Sequence, residues 1–263
     1  MKVWLLLSRF EVGGLERVQA NLASAWADTD LEIWIVTGKI FPQAEAMIPA
    51  QTSRLEISPR NKYTFIFGLL AQLKAHRPDI LMTTSNDVAC MVLIFRALFF
   101  PEMKVVCAQH LSISAPWKTS KGIQRIKHRA ILWMMHHLLP KADSVVAVSV
   151  ALAQDMRHTL QLKEKIQVIH NPVVMPDFEE QIQEKIEWPW PDQSIPTLVF
   201  VGRLVKVKRL DLLLQTFLLV TKTASVHLLI IGEGPEKNKI LDFLSTHNLN
   251  GKCKLIGHQD NPL

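Results

Sequence analysis

With 263 residues, 48% of them hydrophobic, and a mean hydropathy of +0.13, the chain has enough apolar material for one large core or two of ordinary size. Charged residues make up 21%, which excludes wholesale disorder. A formal net charge of +6 suits an anionic ligand or an anionic membrane surface, and the absence of any Lys/Arg run sets nucleic acid aside as a partner.

Cys90, Cys107 and Cys253 are scattered without CxxC spacing, which argues for a reducing compartment and against zinc or a disulfide framework. The apolar run Val3–Leu7 is too short for a signal peptide. The block from Val88 to Phe100 is broken by Arg96 and falls short of the ~18 residues of a spanning helix. These features predict a cytoplasmic protein.

In chain order, Lys2–Leu7 is a strand, and Leu15, Val18, Leu22 and Ala25 then recur at helical spacing. A strand over Leu31–Thr37, a loop, a helix over Phe65–His76 and a strand over Ile80–Thr84 follow. Next come a helix over Val88–Phe99, a strand over Lys104–Ala108, a helix over Ile123–Leu139 and a strand over Ser144–Val148. Short apolar runs alternating with helical patterns predict an α/β fold whose parallel sheet is covered on both faces. Asn171-Pro172 breaks the rhythm, and Trp188-Pro189-Trp190-Pro191 is too rich in proline for a helix or central strand. The pattern then restarts: strand Thr197–Val201, a helix from Leu210, strand Val226–Ile231, helix Lys237–His247 and strand Lys252–Ile256. The expected organisation is a first domain over 1–172, a linker over 173–196 and a partial second domain over 197–263. Three strands leave an apolar sheet edge uncovered, so the second domain is expected to be incomplete and the chain cut short.

Open α/β sheets bind ligands beyond the carboxyl ends of their strands, where loops enter helix N-termini. Gly13-Gly14, ahead of Leu15-Glu16-Arg17, lets backbone approach a phosphate or sugar closely; taken alone, the pair is as readily a simple turn. It is not GxGxxG, which disfavours a dinucleotide. In Gly202-Arg203-Leu204-Val205-Lys206-Val207-Lys208, Arg203 offers a planar fork and Lys208 a point charge to phosphate oxygens, although a solvated basic loop has the same spacing. His110 follows the strand Lys104–Ala108, and a lone histidine is more often structural. Ser85-Asn86 and Ser149 suit helix caps. His136-His137 are adjacent and make a poor metal pair; no metal site is expected. The helix over Ile123–Leu139 joins Lys127, His128 and Arg129 to Trp133, Met134 and Met135, a combination able to dock on an anionic membrane surface, although it reads first as a buried helix with a charged outer face.

Six motifs occur in order: Gly13-Gly14-x-Glu16-Arg17, Arg77-Pro78-Asp79-Ile80, Val146-Ala147-Val148-Ser149, Val168-Ile169-His170-Asn171-Pro172, Val199-Phe200-Val201-Gly202-Arg203-Leu204 with Lys208, and Leu229-Ile230-Ile231-Gly232-Glu233-Gly234-Pro235. Together they resemble the GT-B-fold glycosyltransferases of family 4 (glycosyl transferases group 1), and the resemblance spans nearly the whole chain. It implies two Rossmann-like domains of the GT-B type, the second incomplete. It also implies a retaining, hexosyltransferase-type enzyme with no cofactor, using a nucleotide-diphosphate sugar as donor and a saccharide or lipid-linked acceptor in cell-surface polysaccharide synthesis. Arg203, Lys208 and Gly202 would hold the donor diphosphate, with Gly13 and Gly14 facing the donor. His110 would contact the transferred sugar, and Glu16, Ser85 and Asn86 would lie toward the acceptor.

Lipid-linked acceptors keep peripheral contact with the inner face of the plasma membrane open. The chain departs from the family at Asn171-Pro172, where Asn-Gly is usual, and at Arg209, where glycine is frequent. It also ends at Leu263, before the family's Glu-containing stretch, and Glu233 does not substitute for that stretch. The alternative is a non-catalytic remnant or scaffold.

Overall fold

A computed structural model describes residues 1–57, 61–115, 120–162, 166–173, 178–183 and 188–259. Its first sheet is organised around β1 (Lys2–Leu7), whose apolar run is buried on both faces. After it come α1 (Gly14–Ala25), β2 (Glu32–Thr37), α2 (Pro42–Glu45), β3 (Ser53–Glu56), α3 (Lys62–His76) and β4 (Ile80–Thr83). The unit continues with α4 (Asn86–Phe99), β5 (Lys104–Gln109), α5 (Gly122–Leu138), β6 (Ser144–Ala147), α6 (Val150–Leu160) and β7 (Ile166–Val168). The seven strands are parallel in the order β3-β2-β1-β4-β5-β6-β7. Order reverses between β1 and β4, and the crevice at that switch point is where such sheets bind ligands.

Alternation along β1 decides the packing. Trp4 and Leu6 join Leu69, Leu81, Leu93, Met135 and Met156 in a core beneath α3–α6. Val3, Leu5 and Leu7 point the other way, to Ala20, Ala23 and Ile48 beneath α1 and α2. A fully buried side chain such as Leu5 contributes about 1.5–3 kcal/mol by leaving water. On the second face, Ile80 and Met82 of β4 pack against the cluster beneath α1. Beside it lies an apolar groove of about 350 Å³, walled by Leu22, Trp26, Met82, Val106 and Val146. The Arg77-Pro78-Asp79 motif locks β4 to β1: the Lys2 amide donates to Asp79 Oδ2 at 2.6 Å, and the Asp79 amide donates to the Lys2 carbonyl at 3.0 Å.

The chain divides into compact units over Met1–Met175 and Pro176–Leu263. The second begins with α7 (Phe178–Gln181) and holds β8 (Thr197–Val201), α8 (Leu210–Val220), β9 (His227–Ile231), α9 (Lys237–Thr246) and β10 (Cys253–Gly257), its strands parallel in the order β10-β9-β8. Leu210, Leu214, Phe217, Ile240 and Leu244 cover one face. On the other, Trp190 packs on Leu229 and Ile231 and stacks on His227, ring centroids 4.2 Å apart. Trp188 and Trp190 are thus part of a core, a correction to their placement in a linker; residues 174–177 and 184–187 of that expected linker lie outside the described residues. Strand β8 is an edge, with Leu198, Val199 and Val201 45%, 53% and 52% exposed.

Among the described residues no helix is long and apolar enough to cross a membrane, and no three His, Cys, Asp or Glu side chains gather around a metal-sized site. The three cysteines are free and buried. Burial pushes the Cys107 thiol up to about 12, so it behaves as a small apolar side chain.

Candidate active site

In the first unit, a cavity of about 310 Å³ opens at the carboxyl ends of β4 and β5, walled by the start of α4 and by α5. His110, Ser85 and Asn86 all line it, so the structure brings these three sequence-predicted residues together. Leu15, from the first turn of α1, lines it too; Gly13, Gly14 and Glu16 do not. Gly13 is the extended residue before α1, and a Cβ there would stand 2.5 Å from Glu16 Oε2, so the carboxylate of Glu16 folds back over the Gly-Gly loop.

The cavity is lined by polar groups with unmet demands. Thr84 Oγ1, Asn86 Oδ1 and His110 Nε2 are buried without a hydrogen-bond partner among the described residues. Each such group costs about 1–3 kcal/mol if left unpaired, so a ligand rich in hydroxyls, able to donate and accept, relieves the deficit on binding. Burial lowers the His110 pKa, which favours the neutral imidazole. Neutral imidazole can accept or donate one hydrogen bond at Nε2, according to its tautomer. Ser85 sits at the N-cap position of α4, yet its hydroxyl makes no cap bond and instead shares a hydrogen bond with Ser8 Oγ at 3.2 Å. The cap role expected for it is therefore not the one it plays. Ser149 does cap α6, accepting from the Leu152 amide at 3.2 Å.

Thr84, Asp87 and Gln109 line the cavity without having been singled out, and His128, expected on the charged outer face of its helix, lines it too. Gln109 turns its amide to the Leu111 carbonyl, 3.1 Å away, and so steadies the segment after His110. That segment is tied down by Asp155 on α6. Its Oδ2 accepts from Ser112 Oγ at 2.8 Å, the Ile113 amide at 2.8 Å and the Ser114 amide at 3.2 Å. Partial burial would raise the Asp155 pKa, but these bonds outweigh it and hold the carboxyl at about 2. A depressed carboxyl pKa means stability present above the ordinary 3.8 and lost as pH falls through about 2. Asp155→Ala is therefore expected to lower Tm at pH 7, with the gap to the unmodified chain closing as pH drops from 3.8 toward 2. A gap that stays constant over that range would show that the carboxylate does not hold the loop.

In the second unit, β8 ends at Gly202 and a loop containing the 3₁₀ turn Lys206–Lys208 leads into α8. A Cβ on Gly202 would stand 4.0 Å from Lys208 Cε, so the lysine stem arches over that glycine. The loop is fixed from below: the Gly202 amide donates to Ile231 O at 3.0 Å, Leu204 N to Glu233 O at 2.8 Å, and Glu236 N to Leu204 O at 3.0 Å. Arg203 and Lys208 are exposed, and neither side chain is in an ion pair or hydrogen bond among the described residues. Their neighbours differ, since Arg209 pairs with Asp211 at 3.0 Å and Lys237 with Glu233 at 3.0 Å. Arg209 adopts φ +52, the left-handed conformation that favours glycine. Glu233, held by Lys237, is a local charge partner.

A family model of Glycosyltransferase Family 4 matches residues 12–175, and one of Glycosyl transferases group 1 matches residues 182–262. An uncharacterised glycosyltransferase of Methanocaldococcus jannaschii is 30% identical over 204 residues, covering 74% of this chain and 49% of that protein. The chain thus spans about half the length of that curated relative. Anabaena HepE, solved in complex with UDP-glucose, matches with a TM-score of 0.70 at 15% identity over 99% of this chain and 70% of that one. WaaG, a glycosyltransferase involved in lipopolysaccharide biosynthesis, matches with a TM-score of 0.70 at 13% identity over 98% of this chain and 70% of that one. Likeness at these identities is one of fold, that of the GT-B glycosyltransferases.

Proposed function

We propose that this chain, which belongs to glycosyltransferase family 4, moves a hexosyl group from a nucleoside diphosphate sugar to a saccharide or lipid-linked acceptor in the building of a cell-surface polysaccharide or lipopolysaccharide. The observation that carries the donor half is the pair Arg203 and Lys208, two cations without carboxylate partners among the described residues, beside Gly202 in a loop that enters a helix. A diphosphate seated there takes a planar fork from Arg203, a point charge from Lys208 and the partial positive charge at the start of α8. As the bond between the anomeric carbon and phosphate breaks, its electron pair departs on the diphosphate, and those charges stabilise it without a metal. The acceptor hydroxyl then bonds to the anomeric carbon and releases its proton. Family membership supports retention of anomeric configuration. In the first unit, His110, Asn86 and Thr84 offer polar atoms, unpaired among the described residues, that sugar hydroxyl groups would satisfy.

Calorimetry with UDP, the nucleotide of the HepE complex, tests the donor half. Charge-assisted hydrogen bonds contribute about 1.5–3 kcal/mol, so Arg203→Ala and Lys208→Ala are each expected to weaken UDP binding by about 10- to 150-fold. Unchanged affinity in both variants, or no nucleoside diphosphate bound by the unmodified chain, would remove the assignment. A non-catalytic binding module is favoured by the open, apolar edge of β8. It predicts UDP binding that the two substitutions weaken, with no sugar transferred to any acceptor.

A further inference from the structure

We propose that the cavity around His110 seats an uncharged sugar that carries a methyl group, as an N-acetyl or 6-deoxy substituent, and that Asp87 sets its preference for uncharged over anionic sugars. The inference rests on reading this cavity as the seat of the acceptor sugar, and it names the class of that sugar. Hydrogen-bond demand carries the first half. Asn86 Oδ1, buried and unpartnered among the described residues, can only accept, and so can the Asp87 carboxylate next to it in the cavity wall. Thr84 Oγ1 and His110 Nε2 can act either way. The ligand must therefore bring donors. Sugar hydroxyls and an amide N–H donate, whereas a carboxylate or a fully ionised phosphate only accepts. Charge points in the same direction. Among the described residues no Lys or Arg lines the cavity, Asp87 is its one carboxylate, and burial favours the neutral form of His110. Asp87 Oδ1 accepts from the Val88 amide at 3.0 Å, which pins the carboxylate at the first turn of α4.

The apolar part of the wall carries the second half. Helix α5 contributes Ile131, Leu132 and Met135, and Leu15 and Ile113 extend the same aliphatic surface. The outer face of that helix is not the purely charged one expected from sequence, since Ile123, Ile126 and Trp133 are exposed there. A hexose with hydroxyls around its whole rim would turn some of them to Ile131, Leu132 and Met135, where each loses water and gains no partner. A methyl-bearing substituent on that side removes the mismatch and buries apolar surface instead. The sugar then lies with its hydroxyl edge toward Thr84, Asn86, Asp87 and His110 and its methyl group toward α5.

The test is an NMR titration of the whole chain at neutral pH, without nucleotide, followed on the ring signals of His110 and His128, both in the cavity wall. The probes are methyl glycosides, in the gluco and galacto series, of the hexose, the N-acetylhexosamine, the 6-deoxyhexose and the hexuronic acid. One of the methyl-bearing sugars is expected to bind about tenfold more tightly than its parent hexose, and which one does so separates an N-acetyl from a deoxy acceptor. The uronic acid is expected to bind about tenfold more weakly than the hexose. Asp87→Asn removes the charge and keeps an acceptor oxygen. It is expected to weaken the best sugar about threefold and to strengthen the uronic acid about tenfold, a reversal that a merely structural role at the start of α4 would not produce. A uronic acid or a plain hexose that binds as tightly as the methyl-bearing sugars overturns the proposal, as does discrimination that Asp87→Asn leaves unchanged. So does a chain that binds UDP while no sugar shifts the signals of His110 or His128. Sugars that bind in the expected order to a chain that does not bind UDP would support the proposal and remove the donor assignment alone.

Discussion

Gly232→Ala is expected to destabilise the second unit by about 3 kcal/mol or more. Gly232 has φ +138, a conformation that L side chains rarely adopt. A Cβ there would stand 2.0 Å from the carbonyl oxygen of Gly202. That oxygen is backbone and cannot rotate aside, because the Gly202 and Leu204 amides already donate to Ile231 and Glu233 across the same gap. Relief requires the loops after β8 and β9 to separate, and the first of these carries Arg203 and Lys208. Unfolding followed by hydrogen exchange should show amides of β8 and β9 losing protection while those of β1 and β4 keep theirs, with UDP affinity falling in parallel. Gly14→Ala is the control: it opens α1, nothing lies within 4 Å of its Cβ position, and a change of under about 1 kcal/mol is expected. A Gly232→Ala chain as stable as that control would show that the two loops are not held back to back.

The part of the fold that sequence displayed is its apolar runs. Strands β1 and β9 are such runs because a parallel sheet hides both of their sides, and β4, β5, β6 and β8 were legible from the same kind of run although one side of each is partly open. Strands β3 and β7 were not legible. Ser53–Glu56 and Ile166–Val168 are short edges where Arg54, Glu56 and Gln167 interrupt any run, so only pairing with a neighbour reveals them. Polar residues following β4 and β5 could be picked out by position, which is how His110, Ser85 and Asn86 emerged. Thr84 and Gln109 were missed because whether a residue at a strand's end turns into a cavity depends on local geometry. His128 was misplaced because tertiary packing alone carries α5 to that wall. Trp188 and Trp190 were misplaced for a related reason. Proline density marks a segment without regular structure, but not one without a core, and the available signal was their i, i+2 spacing, which puts both rings on one side of an extended segment.

Trp190 carries an expected effect of similar size, and it tests whether the three-stranded sheet has two covered faces or one. Helices α8 and α9 protect one side. On the other, Trp190 is 6% exposed, lies parallel to His227 within 10°, and donates from Nε1 to the Gly251 carbonyl at 2.9 Å. Beneath it Leu229 and Ile231 are 4% and 7% exposed, whereas Val199 and Val201, beside them in register on β8, are more than half exposed. The indole therefore marks the boundary between the covered and bare halves of that face. Trp190→Ala should reduce stability by about 3–5 kcal/mol, as large-to-small changes in cores do, and should merge the four aliphatic side chains into one exposed patch that binds a hydrophobic dye. Trp190→Phe keeps a ring over His227 and loses only the hydrogen bond, so a loss nearer 1 kcal/mol is expected. Chemical denaturation read on the second unit separates the two. Equal losses would assign the effect to the Gly251 bond, whereas a loss below about 1 kcal/mol for alanine would mean that helices on a single face suffice to hold β8, β9 and β10 together.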